Sequence, residues 1–359
     1  MAPVSAQAIR FCKSFDGTRL AYAVTGSGPP LVKAPHWLTH LEYEYASPIW
    51  QSWIEALSAE HRLLRMDARG CGLSDREVAD LSFEAYLSDL EAIVDAAGYA
   101  EPFALFGHSQ AAATAIAYAA RHPDRVSHLV ILGGYARGIL HRGLPAERLA
   151  EYQAQVQLVE AGWGRADASY RQMFSMQFIP GGTLDQINSM SELQRAASSP
   201  EVAARILRSF QRIDVVAEAP RVRCPTVVLH ARDDRRVPFE EGRLVATLIP
   251  GAQLVPLETE NHILLQHEPS YARFFAELRA FLPSSAAGAA RRAFGSLTPR
   301  EAEILDGIAR GLDNARIAAD LGLSEKTVRN NITHIFDKLA VESRAQAIVL
   351  ARDKGLGKR

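Results

Sequence analysis

The chain has 359 residues, 48% of them hydrophobic and 23% charged, which is an ordinary balance for a folded protein of about two domains. Its net charge of −1 is unevenly distributed, because residues 293–359 carry 11 Lys+Arg against 9 Asp+Glu while the rest of the chain is acidic. Three widely spaced cysteines match neither a metal site nor a disulfide framework, and neither a leader-like start nor a run of about 18 apolar residues is evident. We therefore expect a cytoplasmic protein without a metal or cofactor.

Short apolar runs alternate with amphipathic stretches over the first 135 residues, and apolar runs return near residue 226. This pattern is typical of a parallel sheet covered by helices, so we predict an α/β fold. The predicted strands lie at residues 31–32, 63–66, 103–106, 128–132, 226–229 and 253–255. An amphipathic helix ending near residue 282 closes this domain, which we place at residues 1–282.

A long segment between the fourth and fifth predicted strands has no strand pattern. Residues 137–219 instead indicate helices broken at Pro180-Gly181-Gly182, which is the pattern of a helical cap inserted over a sheet. Beyond the first domain, residues 283–292 are mostly small, and we predict a flexible linker there. The remaining residues, 293–359, are predicted to form a second, smaller domain.

The stretch Gly107-His108-Ser109-Gln110-Ala111 follows a predicted strand and precedes a helix of small residues. A strand, a sharp turn that exposes a serine, and a helix together form the nucleophile elbow of a serine hydrolase. The flanking positions must be small because the helix and the strand approach closely. Ala111 stands here where a second glycine is usual. We predict that Ser109 is a nucleophile, although the pattern alone also suits a serine that caps a core helix.

Two further residues have the types and the order that a serine nucleophile needs. Asp234 follows the fifth predicted strand and His262 follows the sixth. A serine becomes a nucleophile when an imidazole accepts its proton and a carboxylate fixes the imidazole tautomer. The order Ser109, Asp234, His262 therefore predicts a catalytic triad. Asp233 is the alternative acid, and His267 is the alternative base.

Residues 8–282 resemble the α/β-hydrolase superfamily. The resemblance rests on the ordered triad and on the turn from Asp67 to Asp75, which is similar to the Asp-x-Arg-Gly-x-Gly-x-Ser turn of the epoxide- and ester-hydrolase branches. It implies an α/β-hydrolase fold with a helical cap. Ser109, rather than an aspartate, in the nucleophile position argues against epoxide or haloalkane hydrolysis. One fold hosts many chemistries, so the resemblance does not fix the reaction.

The family usually has His-Gly after the third strand, where the backbone helps to form the oxyanion hole. This chain has Ala34-Pro35-His36-Trp37 instead, so by position the donors are the backbone N–H groups of Trp37 and Gln110. Loss of one donor typically lowers a hydrolase rate by about 10²–10³, so we expect at most slow turnover. We also expect an apolar pocket for a small hydrophobic ligand or ester-like substrate beneath the cap. Its predicted lining is His36, Trp37, Trp163, Phe174 and Phe178.

Four short helices are predicted in residues 293–359. Their predicted N-caps are Thr298, Asp313, Ser324 and Ser343. Glu301 completes a capping box with Thr298. Gly322 provides a tight turn between the second helix and the third, and two helices joined in this way predict a helix-turn-helix.

These residues closely resemble a LuxR-type DNA-binding domain over its whole length. The matching stretches include Leu297-Thr298-x-Arg300-Glu301, Gly311-x-x-Asn314-x-x-Ile317-Ala318 and Ser324-x-x-Thr327-Val328-Arg329. The resemblance implies that the third helix enters the major groove, with Arg329, Asn330 and Thr333 facing base edges. It implies phosphate contacts for Lys326, Thr327, Asn331 and Lys338. The modest charge of the domain implies that it binds DNA as a homodimer on two half-sites.

We therefore predict a transcription regulator whose hydrolase-like domain senses, with or without hydrolysis, a small apolar ligand. One alternative is a working serine esterase or lactonase with an accessory DNA-binding module. Another is a hydrolase-like domain that binds a ligand without turnover. The ordered triad favours turnover, whereas the altered segment at Pro35-His36 favours a slow enzyme.

Overall fold

The computed structural model describes residues 7–282, 294, 297–354 and 356–357. It divides the chain into a first unit of residues 1–282 and a second unit of residues 283–359. Each unit has its own set of packed apolar side chains. The predicted linker, residues 283–292, lies outside the described residues.

Among the described residues of the first unit, eight strands form one sheet in the order β1-β2-β4-β3-β5-β6-β7-β8. The strands are β1 (Ala8–Lys13), β2 (Arg19–Thr25), β3 (Pro30–Lys33), β4 (Arg62–Met66), β5 (Phe103–His108), β6 (Val126–Leu132), β7 (Thr226–Ala231) and β8 (Gln253–Leu257). β2 pairs antiparallel with both β1 and β4, and the remaining neighbours are parallel. The predicted α/β fold and all six predicted strands are confirmed. The hairpin of β1 and β2 was not predicted.

Helices cover both faces of the sheet, so the central strands are buried on both sides. Along β5 the side chains of Phe103 and Leu105 join one apolar cluster, and those of Ala104 and Phe106 join the other. Outside the segment between β6 and β7, these clusters receive side chains from α2 (Trp50–Ser58), α3 (Phe83–Ala96), α4 (Ala111–Arg121), α9 (Phe239–Leu248) and α10 (Pro269–Phe281). A short helix, α1 (Leu41–Tyr45), precedes α2. Because both faces are occupied, polar chemistry in this unit belongs at the carboxyl ends of the strands.

The segment between β6 and β7, which we predicted as a cap, contains four α-helices. They are α5 (Ala146–Gly162), α6 (Ser169–Ser175), α7 (Leu184–Ala197) and α8 (Pro200–Phe210). The break at residues 180–182 precedes α7, where Thr183 and Gln186 form a capping box. Apolar side chains of these helices join the same cluster as those of α2 and α10.

The second unit contains four described helices. They are α11 (Pro299–Ala309), α12 (Asn314–Leu321), α13 (Glu325–Leu339) and α14 (Arg344–Asp353). All four predicted N-caps are confirmed, because each side-chain oxygen accepts a hydrogen bond from a backbone N–H in the first turn. The capping box of Thr298 and Glu301 is formed as well. Gly322, at a φ of 64°, ends α12 in the left-handed conformation that its tight turn requires.

Within the described ranges, no helix combines the length and the apolar character that a membrane-spanning segment needs. The same residues hold no group of three or more His, Cys, Asp or Glu side chains arranged as metal ligands.

Candidate functional site

A strained turn presents Ser109 at the end of β5. Its φ of 59° lies in the left-handed region, which costs a non-glycine residue about 1–2 kcal/mol, so the surroundings must hold it. The Ser109 N–H donates to the carbonyl oxygen of Leu132 at 2.9 Å. A Cβ atom at Gly107 would lie 2.7 Å from the Cα atom of Ala112. The close approach of strand and helix therefore requires the glycine of the motif.

Asp234 and His262 meet at the carboxyl ends of β7 and β8. The Oδ2 atom of Asp234 lies 2.6 Å from the Nδ1 atom of His262, and its Oδ1 atom accepts backbone N–H bonds from Arg236 at 2.8 Å and Val237 at 2.9 Å. Burial alone would raise the pKa of Asp234. The His262 imidazole and the hydrogen bonds outweigh that effect and hold the pKa below its usual value.

The two alternative residues lie elsewhere. Asp233 is exposed, and the carboxylate beside the imidazole belongs to its neighbour Asp234. His267 is also exposed. It lies in the loop before α10, which begins at Pro269, and not within that helix as the sequence suggested.

The second nitrogen of His262 is available for chemistry. His262 is buried, and its Nε2 atom has no hydrogen-bond partner among the described residues. The side chains of Ser109 and His262 line the same cavity. An imidazole held at Nδ1 by a carboxylate, with Nε2 free in the cavity of a serine, is the arrangement that general-base activation requires.

The loop that carries His262 is bonded to the cap segment after α6. The His262 N–H donates to the carbonyl oxygen of Phe178 at 2.9 Å, and the Gly181 N–H donates to the side chain of Asn261 at 2.8 Å. Asn261 in turn donates to Glu268 at 2.8 Å. The position of the imidazole therefore depends on the cap as well as on the sheet.

The predicted oxyanion-hole donors lie at a second cavity that Ser109 also lines. Trp37, Gln110 and Ser109 line it together, and neither the Trp37 nor the Gln110 backbone N–H bonds to another described residue. Leu38, directly after Trp37, has a φ of 45°, so the backbone turns sharply at the end of this segment. The Gln110 side chain donates to the carbonyl oxygen of Pro35 at 3.3 Å and ties the two segments together.

In the second unit, α13 exposes most of the residues that we predicted to contact DNA. The exposed side chains are Lys326, Thr327, Arg329, Asn330 and Thr333, and Asn331 is half-buried. The Asn331 side chain donates to the Thr327 carbonyl oxygen at 2.8 Å. On the inner side, Val328, Ile332 and Ile335 are buried in the core of the unit.

Lys338 differs from the other predicted contacts. Its ammonium lies 2.7 Å and 2.9 Å from the two carboxylate oxygens of Glu301, on α11. The Glu301 side chain is almost fully buried and also accepts the Thr298 N–H at 2.7 Å. This ion pair gives Lys338 a structural role within the unit, and its assignment to a phosphate contact stays a prediction.

A family model described as alpha/beta hydrolase fold matches residues 43–269. This chain belongs to the α/β hydrolase fold family. A second model, of bacterial regulatory proteins of the luxR family, matches residues 295–351. We call residues 1–282 the hydrolase domain and residues 283–359 the luxR-family domain.

Individual proteins are similar to one domain or the other. The pyrrolizixenacetamide deacetylase of Xenorhabdus hominickii is 28% identical over 271 residues, which are 74% of this chain and 95% of that protein. The transcriptional regulatory protein YdfI of Bacillus subtilis is 45% identical over 60 residues, which are 17% of this chain and 28% of that protein. A solved hydrolase from Pseudomonas aeruginosa PA01 has a TM-score of 0.64 at 22% identity, covering 77% of this chain and 98% of that chain. The structural similarity shows the fold of the hydrolase domain.

A group of buried charged side chains lies next to the oxyanion segment of the hydrolase domain. The Glu44 carboxylate lies 3.3 Å from both the His36 Nε2 and the Arg65 Nη1 atoms, and the Lys33 ammonium lies 5.1 Å from the ring centre of Trp50. Burial lowers the pKa of Lys33 to about 8 and the pKa of His36 below its usual value. His36 lines the cavity of Ser109 and His262, and burial there favours the neutral form of its imidazole.

The cap side chains divide into cavity lining and supporting core. Trp37 and Phe178 line the cavities that contain Ser109. Trp163 and Phe174, which we predicted as lining, instead pack against Trp37 with ring centres 6.0 Å and 5.7 Å away. They border a separate hollow within the cap. Neither side chain lines a cavity that contains Ser109, so these two residues belong to the supporting core of the cap.

The cavity beside Ser109 also has polar lining that the sequence analysis missed. Arg142, Tyr152 and Arg236 line it together with Ser109 and Gln110. The position of Arg236, two residues after Asp234, was a usable signal, because that turn was already placed at the site. Nothing in the local sequence indicates that Arg142 reaches the same cavity.

Proposed function

We propose that this protein is a transcription regulator that binds DNA through its luxR-family domain and binds and slowly hydrolyses a small molecule in its hydrolase domain. The observation that carries the proposal is that one chain holds both a luxR-family domain with an exposed helix α13 and a hydrolase domain with Asp234 and His262 paired beside Ser109. A DNA-binding regulator acts where the chromosome is, so we place it in the cytoplasm.

The DNA contacts follow from the exposed face of α13. Arg329 can bind guanine through two hydrogen bonds and Asn330 can bind adenine, so we assign both, with Thr333, to base edges. We assign Lys326, Thr327 and Asn331 to phosphates, since they lie near the start of the helix or along its side. With few uncompensated cations, one domain neutralises few phosphates, and we propose that a homodimer binds two half-sites.

The hydrolytic step uses Ser109, His262 and Asp234. The Ser109 Oγ attacks the carbonyl carbon of a bound ester, lactone or amide while the Nε2 of His262 takes the hydroxyl proton. Asp234 keeps Nδ1 protonated and stabilises the imidazolium, which then donates its proton to the leaving group. The N–H groups of Trp37 and Gln110 stabilise the oxyanion, and water attacks the acyl-enzyme by the same route.

A fluorophosphonate probe tests the hydrolase half of the proposal. It should label the full-length protein at Ser109 and should spare Ser109→Ala. The full-length protein should also hydrolyse a p-nitrophenyl ester, and Ser109→Ala should not. Equal labelling of both proteins, or of neither, would refute the assignment of Ser109.

A mobility-shift titration tests the DNA half, with a site selected by the full-length protein from genomic fragments. Arg329→Ala should weaken binding to the selected site by about 1–3 kcal/mol, since one bidentate base contact contributes that much to discrimination. Glu342→Ala, an exposed change beyond α13, is the control. Unchanged binding by Arg329→Ala would contradict the placement of α13 in the groove.

The second candidate function is an esterase, lactonase or amidase with an accessory DNA-binding module, and the similarity to a deacetylase over most of the hydrolase domain favours it. A coupled sensor and an independent enzyme differ in one measurement. If the ligand site controls DNA binding, a fluorophosphonate adduct on Ser109 should change affinity for the selected site by about 5–150-fold. Identical affinities of labelled and unlabelled protein would favour the independent enzyme.

A further inference from the structure

Among the residues that the structure describes, Arg236 at the cavity beside Ser109 has no anionic partner. Its Nη1 atom donates to the side-chain amide oxygens of Gln155 and Gln177, each at 3.2 Å, and its guanidinium lies 5.1 Å from the ring centres of Phe174 and Phe178. Among the described residues no carboxylate forms an ion pair with Arg236. Neutral amides and aromatic faces compensate a full charge only in part.

Asp234 is the acidic residue nearest to Arg236 in sequence, but both of its carboxylate oxygens already have other hydrogen-bond partners. Its Oδ2 atom bonds to His262, and its Oδ1 atom accepts two backbone N–H bonds. The Asp234 carboxylate thus bonds to the His262 imidazole and does not form an ion pair with the Arg236 guanidinium. Burial lowers the pKa of Arg236, which is the direction expected for a cation whose surroundings do not replace its lost hydration.

A second guanidinium adds to the positive charge of the same cavity. The buried side chain of Arg142 lines it and donates from Nε to the Arg137 carbonyl oxygen at 3.1 Å. Its nearest carboxylate, Glu241, lies 3.8 Å away and is held more closely by Arg137, at 3.2 Å and 3.3 Å. The single carboxylate of Glu241 therefore lies near two arginines, Arg137 and Arg142, and the charge of Arg236 adds to theirs.

We propose that the ligand of the hydrolase domain carries a carboxylate, which binds at Arg236 and Arg142 while the apolar part of the ligand contacts Trp37 and Phe178. A planar guanidinium matches a carboxylate with two parallel hydrogen bonds, and an anion there supplies the charge that the protein does not. The ligand class is then a small ester, amide or lactone with a free carboxylate, whereas the sequence led us to expect a small hydrophobic ligand or ester-like substrate without that charge. This proposal rests on the proposed function, because it takes the cavity of Ser109 as the ligand site.

Calorimetric titration of matched probes into full-length Ser109→Ala protein tests the proposal. The probes are a homologous series of phenylalkanoates from phenylacetate to 6-phenylhexanoate and the corresponding primary amides, which share the shape and lack the charge. We expect at least one carboxylate to bind about tenfold or more tightly than its amide. Absence of any carboxylate preference along the whole series overturns the proposal.

Two arginine variants locate the effect. Arg236→Met should abolish the preference by weakening the carboxylate at least about tenfold while the amide stays within about twofold, which also shows that the cavity remains folded. Arg235→Met, at the exposed neighbour that pairs with Glu260, removes the same charge and should leave the preference unchanged. Equal loss in both variants, or a preference that survives Arg236→Met, overturns the proposal.

This test is separate from the tests of the proposed function, since it reads binding alone in a protein without the nucleophile. Labelling of Ser109 without carboxylate preference would reject the ligand class and leave the hydrolase assignment intact. Carboxylate preference without labelling would reject turnover and leave the binding site intact.

Discussion

Replacing Lys338 with methionine removes the cation that faces Glu301 and keeps the length of the side chain. Glu301 is almost fully buried, and about a third of the Lys338 side chain is exposed. After the substitution, the carboxylate retains the Thr298 N–H but loses two short contacts to the ammonium. Exposed ion pairs contribute about 0.2–1 kcal/mol, and breaking a buried pair costs about 3–5 kcal/mol. This half-exposed pair lies between those limits, so we expect Lys338→Met to lower the free energy of unfolding of the domain by about 2 kcal/mol.

A loss of that size is measurable because the two domains have different optical probes. All four tryptophans, Trp37, Trp50, Trp53 and Trp163, belong to the hydrolase domain. In a domain of 60–100 residues, 1 kcal/mol corresponds to about 4–8 °C, so Lys338→Met should lower the luxR-family melting transition by about 10 °C. Circular dichroism at 222 nm should record that shift, and tryptophan fluorescence should not.

The salt dependence of DNA binding separates a structural role from a phosphate contact. If Lys338 acts within the domain, the slope of log affinity against log salt should not change at a temperature where the variant is folded. Lys326→Met is the matched control, since that exposed side chain begins α13, and loss of its phosphate contact should reduce the slope by about 0.9. A reduced slope with an unchanged melting temperature in Lys338→Met would refute the structural role.

Three further changes test the hydrolase domain. Asp234→Asn should lower kcat for a p-nitrophenyl ester by about 10³–10⁴, because the imidazole loses the carboxylate that fixes its tautomer, and a loss under tenfold would argue against the triad. Gly107→Ala should destabilise the domain by about 1–3 kcal/mol in urea unfolding followed by tryptophan fluorescence, since its Cβ meets the Ala112 backbone, and unchanged stability would contradict that contact. Burial alone would raise the pKa of Glu44, but the cations around it hold that pKa at about 2, so its contribution to stability is complete above pH 4.5 and is lost as the pH falls toward 2. Glu44→Gln should therefore flatten the acid-unfolding curve between those values, and an unchanged curve would show that this carboxylate does not control it.

Local sequence patterns determine the parts of this chain that we predicted correctly. Apolar runs identified the buried parallel strands, and polar residues before amphipathic stretches identified the helix N-caps of the luxR-family domain. The outer strand β1 was not predicted because it is largely exposed, with Phe11 in solvent, whereas β2 has a buried apolar run that the sequence analysis overlooked.

The sequence alone did not predict contacts between charged residues that lie far apart along the chain. Glu301 and Lys338 are 37 positions apart, and only the packing of α11 against α13 brings them together. The same holds for Arg142, whose neighbours at the cavity come from several segments. A charged residue in a sequence is usually exposed, so nothing local indicates which few arginines are buried.

The bonds between the cap and the loop of His262 have a consequence for the order of events in turnover. Because the Phe178 carbonyl and the Gly181 amide hold that loop, a cap that swings open must either break both bonds or carry the imidazole with it. If the bonds break, the loop loses contacts that help to position His262, and if they hold, the imidazole moves with the cap. We therefore expect movement of the cap to change the position of the imidazole relative to Ser109, which would couple ligand exchange to the reactivity of the serine.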